Sequence, residues 1–359
     1  MGKIIIGTSS VTFMEIKNGN WPACAAYFDR SLAFCRAWLN GEENFQLNTS
    51  GSTGMPKVID INRQQMEISA AATGKFFGIK PQANLLCCLN TAMIAGKMML
   101  VRGLEWDSHI YLEEPSGTPL ASFDMLDAFD FVAMVPAQVE NSLLSAADKE
   151  KLNSIQHLII GGAPLSQKLQ KEISRLRCNA YQTYGMTETV SHIALANITG
   201  HPPLTYQTLP GVCISTTNDS RLVIDAPMAK TSLITNDIVT IPESKSFIWK
   251  GRADFTINSG GVKIQPENLE AQIAPVIEAY FPGKRFFIAG APSHKWGEEV
   301  VLLIETPRVK EPSDRQLSNK IAEIVGKYER PKRIYYLENF IETPSGKIKR
   351  SGTLTIALK

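Results

Sequence analysis

Apolar and polar positions alternate with two different periods along this chain. From Trp21 to Asn40, Ala25, Phe28, Leu32, Cys35 and Leu39 recur at helical spacing and predict a helix with one buried face. Phe45-Gln46-Leu47-Asn48 reads as a short strand that runs into a Ser/Thr/Gly stretch from Thr49 to Gly54. After Pro56, Lys57-Val58-Ile59-Asp60-Ile61 alternates as a strand would and suits a hairpin partner. A long helix is predicted from Asn62 to Phe77, with Asn62 as its cap. Strand-like apolar runs then recur at Asn84 to Leu89, Phe131 to Val135 and His157 to Ile160, separated by helical stretches, which is an α/β signature.

The pattern changes after Leu204. Short β-rich runs (Leu222-Val223-Ile224, Ile238 to Ile241, Ser246 to Trp249) separated by turns predict a small antiparallel β-barrel-like subdomain. From Gly251 onward a compact α+β segment is expected. The predicted architecture is a large N-terminal α/β domain over residues 1–253, carrying that subdomain, and a small mobile C-terminal α+β domain over 254–359. At 359 residues the chain has room for two unequal domains.

Composition narrows the classes. Apolar residues make up 44% and charged residues 20%, and the formal charge is only +2, so nothing argues for a nucleic-acid or membrane surface as partner. The six cysteines form no C-x-x-C pair, and Cys87-Cys88 sit inside an apolar run, so reduced core cysteines are expected. Ile4-Ile5-Ile6 is too short for a signal-peptide core, and the expected compartment is the cytoplasm.

Four segments carry chemistry. In Thr49-Ser50-Gly51-Ser52-Thr53-Gly54-Met55-Pro56-Lys57, glycines let backbone N–H groups approach phosphate oxygens, hydroxyls add hydrogen bonds and Lys57 adds charge. Taken alone these residues also suit a surface turn. They are not a Walker A loop, because no helix opens after the lysine. In Tyr181-Gln182-Thr183-Tyr184-Gly185-Met186-Thr187-Glu188-Thr189, an aromatic ring can stack on a purine, Gly185 lets a carboxylate approach the backbone, Thr187 can donate to a phosphate and Glu188 is a hard ligand for Mg²⁺. The third segment runs from Gly251-Arg252-Ala253-Asp254 through Ser259-Gly260-Gly261 to Pro266-Glu267-Asn268-Leu269-Glu270. The last is Pro344-Ser345-Gly346-Lys347-Ile348-Lys349-Arg350, which on charge alone is a basic tail.

In this order the four segments resemble the acyl-adenylate-forming superfamily of acyl-CoA synthetases, adenylation domains and firefly luciferase, over residues 45 to 352. The resemblance implies ATP, Mg²⁺ and coenzyme A. It implies that Thr49 to Gly54 with Lys57 hold phosphates, that Gly162-Ala163-Pro164 and Tyr184-Gly185 flank the adenine, and that Asp237 and Arg252 hold the ribose. It further implies that Asp254 is the hinge, that Gly260-Gly261 line a pantetheine tunnel, and that Lys347, Thr187 and Glu188 are catalytic. Asn236 stands where the family has Gly, and Asn tolerates the positive φ of such a turn. About 48 residues precede the phosphate loop, where the family carries a sizeable subdomain. Part of the acyl pocket wall is then absent or supplied by a second subunit, which leaves a homodimer as an expectation.

Ser259-Gly260-Gly261, Ile264 to Glu267, Met186 to Ile193 and the short length resemble the o-succinylbenzoate–CoA ligases, which implies a small-molecule keto-diacid as substrate. Leu89 to Lys97 lacks the Pro and His those ligases carry beside the acyl pocket. His192 reads equally as a core residue or as part of the site. Lys97 and Arg102, which could meet a second carboxylate, read as surface residues. Other acyl- or aryl-CoA ligases, a stand-alone adenylation enzyme loading a carrier protein and a degenerate nucleotide-binding protein are the rival readings.

Overall fold

A computed structural model describes residues 1–49, 57–124, 128–199, 204–307, 313–342 and 348–359. Its strands are β1 Lys3–Ile6, β2 Ser9–Thr12, β3 Asn44–Thr49, β4 Lys57–Asn62, β5 Asn84–Cys87, β6 His109–Leu112, β7 Phe131–Met134, β8 His157–Ile160, β9 Asn179–Gly185 and β10 His192–Asn197. They continue as β11 Thr205–Thr208, β12 Cys213–Thr216, β13 Arg221–Asp225, β14 Leu233–Glu243, β15 Ser246–Arg252, β16 Ile257–Ser259, β17 Val262–Ile264, β18 Phe286–Ser293, β19 Gly297–Glu305 and β20 Arg333–Leu337. The helices that matter below are α1 Phe13–Asn18, α2 Ala26–Leu39, α3 Arg63–Phe77, α4 Ile94–Glu105, α5 Pro136–Leu144, α6 Ala146–Ser154, α7 Gln167–Ile173 and α8 Pro266–Tyr280.

Thirteen strands form one sheet in the order β12-β13-β14-β15-β11-β10-β9-β8-β7-β5-β6-β1-β2. Pairing is parallel from β9 through β8, β7, β5 and β6 to β1, and antiparallel from β10 to β12. The strands expected to make a small barrel are this antiparallel half. They join the sheet edge to edge through β11 and β10 rather than standing apart, because His192–Asn197 pairs on one side with the last parallel strand and on the other with β11.

The central strands are buried on both faces, and the period of two sorts their side chains into two cores. Leu85, Cys87, Phe131, Ala133 and Ile159 join Leu32 and Trp38 of α2, Met66 of α3 and Met98 to Val101 of α4. Their neighbours Leu86, Cys88, Val132, Met134, Leu158 and Ile160 join Val139, Leu152 and Leu169 of α5 to α7 on the other face. Cys87 and Cys88 are thus core residues split across the sheet, and all six cysteines are free, though Cys213 is exposed on the edge strand β12.

Local signals place the helices. Asn62 caps α3 in a reciprocal pair with Gln65, and Gly78 closes it with a left-handed φ of 65°. The predicted first helix begins later than expected, at Ala26, since the chain before it is extended. β3 and β4 pair antiparallel as a separate two-stranded sheet, from Asn44↔Asn62 to Thr49↔Lys57.

A second sheet, β17-β16-β19-β18 with β20 beside β19, holds the residues from Ile257 onward. The same alternation divides it: Ile288, Val300, Leu302 and Ile304 pack with α8, and Phe287, Val301 and Leu303 pack on the opposite side. Gly260 and Gly261 (φ 58° and 84°) form the two-residue turn between β16 and β17, where both central residues must have positive φ. No described helix is long and apolar enough to cross a membrane.

Candidate active site

The parallel strands set the position of the site. β5 pairs with β6 on one side and β7 on the other, so the chain leaves their C-terminal ends in opposite directions and a crevice opens between them. A cavity of about 710 Å³ lies there. Its walls come from Leu89 after β5, Ala133 to Val135 at the end of β7, Gly161 and Gly162 after β8, Gly185 to Glu188 from the end of β9 onward, and Ile234 to Asp237 of β14.

Of the residues singled out in the sequence, the cavity brings together Gly162, Gly185, Thr187, Glu188, Asp237 and Arg252. Thr187 and Glu188 lie on a single 3₁₀ turn, Thr187–Thr189, with Glu188 exposed. Tyr184 is not a wall residue. Its ring packs edge-on against Phe247 and Tyr206, and its hydroxyl donates to Asp237 Oδ2 at 2.6 Å. Burial and the neighbouring carboxylate hold its pKa well above the usual tyrosine range. Ala163 and Pro164 are exposed beside Gly162, and Gly260-Gly261 belong to the second sheet. Thr49 and Lys57 are the facing ends of the β3–β4 hairpin. Ser50, Gly51, Ser52, Thr53, Gly54 and Lys347 lie outside the described residues.

Asp237 is held from several sides. Trp249 Nε1 donates to Oδ1 at 3.0 Å, Tyr184 takes Oδ2, the Thr235 hydroxyl accepts from the Asp237 amide, and the Arg252 guanidinium stands 3.9 Å away. Two of the roughly four lone-pair sites of the carboxylate are used, which leaves acceptor capacity facing the cavity. Trp249 escaped the sequence reading because a tryptophan in an alternating strand looks like packing. Arg252 also donates to Asp254 at 2.6 Å. Burial works against its charge, but the hydrogen bond to Asp254 and the field of Asp237 outweigh it and raise its pKa.

The structure assigns a different reason for one glycine. A Cβ on Gly185 would collide with the Ser191 carbonyl and the His192 backbone, so the glycine is demanded by the approach of β10. Just before β10, Val190 adopts φ 65°, ψ −51°, and the Ser191 amide donates back to the Thr189 carbonyl at 2.7 Å. This is a γ-turn at positive φ, a strained state for a β-branched residue. It turns Ser191 and His192 toward helix α4.

Arg102 receives them, and it is not a surface residue. Only 2% of it is exposed, although it lines the cavity. Its Nη2 donates to Ser191 Oγ at 2.8 Å and lies 3.4 Å from His192 Nδ1, and Nη1 lies 3.8 Å from the Met99 sulfur. Its Nε has no protein partner, and no carboxylate pairs with it among the described residues. Burial pulls its pKa down to about 9. His192, 5% exposed, is held neutral by burial and by the adjacent guanidinium. Lys97 is half-buried, with its ammonium 4.6 Å from the Phe34 ring centre. The sequence did carry a signal for Arg102: it is the only charge in Met98-Met99-Leu100-Val101-Arg102-Gly103-Leu104, a run apolar on every helical face.

Residues 45–228 match the family model described as AMP-binding enzyme. The crystal structure of an acyl-CoA synthetase (AMP-forming)/AMP-acid ligase II-like protein from Dyadobacter fermentans is 38% identical, covers 97% of this chain and 99% of its own, and superposes with a TM-score of 0.66. The 2-succinylbenzoate–CoA ligase of Lactococcus lactis is 26% identical over 96% of this chain and 76% of its own length. The o-succinylbenzoate coenzyme A synthetase of Bacillus subtilis, solved with ATP and magnesium, is 20% identical over 86% of this chain and 69% of its own, with a TM-score of 0.68, and shares the fold. The ordered motifs, the sheet and the matches together make this chain a member of the AMP-binding enzyme family, within the superfamily of AMP-forming acid–CoA ligases.

Proposed function

We propose that this chain activates o-succinylbenzoate with ATP to the acyl-AMP and passes the acyl group to coenzyme A. Arg102 is the observation that carries the choice of substrate. A guanidinium taken out of water without a counter-ion is costly, and a carboxylate arriving on the substrate would compensate it. Arg102 shares its cavity with Thr187 and Glu188, where the reacting carboxylate would sit. An acid with two carboxylates can use both ends. The names of the Lactococcus lactis and Enterococcus faecalis relatives, both 2-succinylbenzoate–CoA ligases, support the same acid.

Adenylation brings a carboxylate onto the α-phosphate of ATP. Both are anionic, so charge must be neutralised and geometry held. In this reading Thr187 donates to the α-phosphate, and Lys347 bridges phosphate and carboxylate. The loop from Thr49 to Lys57 holds the departing pyrophosphate. Glu188 suits Mg²⁺: it is exposed at the cavity, and one carboxylate is enough for an ion that arrives on nucleotide phosphates. Asp237 keeps free lone pairs for the ribose hydroxyls, with Arg252 beside it. Residues 1–253 form the core domain and 254–359 a lid that turns at Asp254 between the two half-reactions, carrying Lys347 in and out. The buried cores divide at the same place, with Phe247 in the first group and Ile257 in the third. A catalyst of this kind works on dissolved substrates in the cytoplasm and needs neither nucleic acid nor membrane.

The test is a side-by-side measurement of kcat/KM for o-succinylbenzoate, benzoate and a medium-chain fatty acid, following pyrophosphate release and CoA thioester formation. A site that pairs a polar group discriminates against acids lacking it, here by a factor of roughly a hundred or more. A preference for benzoate or the fatty acid refutes the substrate and leaves the adenylate chemistry standing. Adenylation without thioester formation from CoA would favour a carrier protein as acceptor.

A further inference from the structure

We infer that His192 is a positioning residue for Arg102: a neutral imidazole, oriented by Thr73, that fixes the guanidinium without cancelling its charge. The inference rests on Arg102 as the receiver of the substrate's distal carboxylate and adds how that receiver is kept both ordered and unpaired.

The protons in this cluster can be assigned from donor and acceptor types alone. A guanidinium only donates, so His192 Nδ1, 3.4 Å from Arg102 Nη2, must present its lone pair. The ring proton then sits on Nε2, which lies 3.2 Å from Thr73 Oγ1. Thr73 in turn donates its own proton to the Ser69 carbonyl at 3.0 Å, one turn earlier in α3. A one-way relay therefore runs from Arg102 through His192 and Thr73 to the main chain. It joins three elements: α4, the start of β10, and α3.

The alternatives show what the imidazole contributes. A carboxylate at position 192 would hold the guanidinium more strongly, but it would occupy the donors that a substrate needs and neutralise the charge. An apolar side chain would leave Arg102 tied only to Ser191 and the Met99 sulfur, with its guanidinium less firmly fixed. Neutral histidine has one acceptor, 3.4 Å from both Nη2 and the Ser191 hydroxyl that Nη2 holds, and one donor anchored behind it, and adds no negative charge. The strained γ-turn at Val190 belongs to the same device, since it brings Ser191 and His192 onto the guanidinium together.

The test measures KM and kcat for o-succinylbenzoate and for benzoate in His192→Leu, His192→Asn, Thr73→Val and Arg102→Leu. For His192→Leu the expected result is a rise in KM for the diacid of about tenfold or more with kcat nearly kept, and a matching fall in the diacid-to-benzoate ratio of kcat/KM. Asn carries its amide oxygen close to where Nδ1 lies, so His192→Asn should recover most of that loss. Thr73→Val, which frees the ring to turn, should shift KM in the same direction by less. A purely structural role for His192 lowers turnover of both acids alike, and that result overturns the inference, as does failure of Asn to rescue. Should His192→Leu not fold, Thr73→Val and His192→Asn still decide through the same ratio. Arg102→Leu separates the two levels. If it leaves the diacid KM unchanged, Arg102 is not the receiver and the underlying reading falls. If it raises KM while His192→Leu and Thr73→Val do not, only the role of His192 falls.

Discussion

Two arginines are withdrawn from water in different parts of this molecule, and the chain treats them in opposite ways. In the second sheet region, Arg350 meets Glu270 of α8 end-on: Nη1 and Nη2 donate to the two carboxylate oxygens at 2.7 and 2.8 Å. Its guanidinium also lies 4.9 and 5.5 Å from the ring centres of Phe255 and Phe287. Burial raises the pKa of Glu270, and Arg350 pulls back against that rise. Both carboxylate oxygens of that pair are met by donors inside the protein. In the cavity, Arg102 has a serine, a neutral histidine and a methionine sulfur for company, and its Nε faces no protein acceptor. The first arrangement is finished by folding and ties α8 to the chain around Arg350. The second is left unfinished by folding, which is affordable only where something else supplies the missing charge.

The contrast can be broken most forcefully at Arg350. Replacing it with Leu leaves Glu270 buried without its partner, and the expected loss is about 3–5 kcal/mol of stability in denaturant unfolding. Arg102→Leu should do the reverse on the same measurement, leaving the protein as stable or more so, because it removes an uncompensated buried charge. Equal destabilisation by the two variants would abolish the distinction. A third cation, Lys347, tests whether the proposed lid contributes chemistry as well as stability. Lys347→Ala should cut acyl-AMP formation by about 10²–10³-fold while thioester formation from supplied acyl-AMP continues. Near-normal adenylation would return Lys347 to being part of a basic tail.

Next in size is the catalytic side of Arg102. Its replacement by Leu should lower kcat/KM for o-succinylbenzoate by about 2–3 kcal/mol, or roughly a hundredfold, mainly through KM. An unchanged value would mean that the distal carboxylate binds elsewhere.

The smallest effect sharpens the comparison through pH. His192 is kept neutral by burial and by Arg102, so its folded pKa lies well below its unfolded value of about 6.5. Between those two values the unfolded chain binds a proton that the folded chain refuses. Stability from this residue is therefore complete above about pH 6.5 and is lost as the pH falls toward the folded pKa, at up to about 1.4 kcal/mol per pH unit. Urea unfolding at pH 7.5, 6 and 5 should show a steeper loss for the wild type than for His192→Asn. Parallel curves would mean that His192 is not held neutral.

How much of this was readable beforehand differs between the two arginines' surroundings. The strands 84–87, 131–134 and 157–160 and the helix after Asn62 follow from apolar period, capping and chain punctuation, all of which act over a few residues. The turn glycines 260 and 261 are equally local, since positive φ belongs to the residue itself. The motif residues Gly162, Gly185, Thr187, Glu188, Asp237 and Arg252 could be picked out one by one, because each carries chemistry in its own side chain or its lack of one. The continuous sheet could not be read this way: runs of short strands after Leu204 suit a small barrel and a sheet extension alike, and only the pairing of β10 with both β9 and β11 decides between them.

The sequence by itself determined the chemistry on offer: the order of the motifs, the α/β alternation and the family. Tertiary structure alone decided which groups share the cavity and in what electrostatic state. The Tyr184 hydroxyl, which no local pattern places, donates to Asp237. Trp249, unremarkable in its strand, becomes a donor to the same carboxylate. Arg102, which composition would send to the surface, is sealed beside a neutral histidine contributed from ninety positions further along the chain. The reason is physical: the cost of burying a charge depends on which dipoles and counter-charges surround it, and those neighbours are brought together by the packing of α3, α4 and β10 rather than by any pattern within one of them.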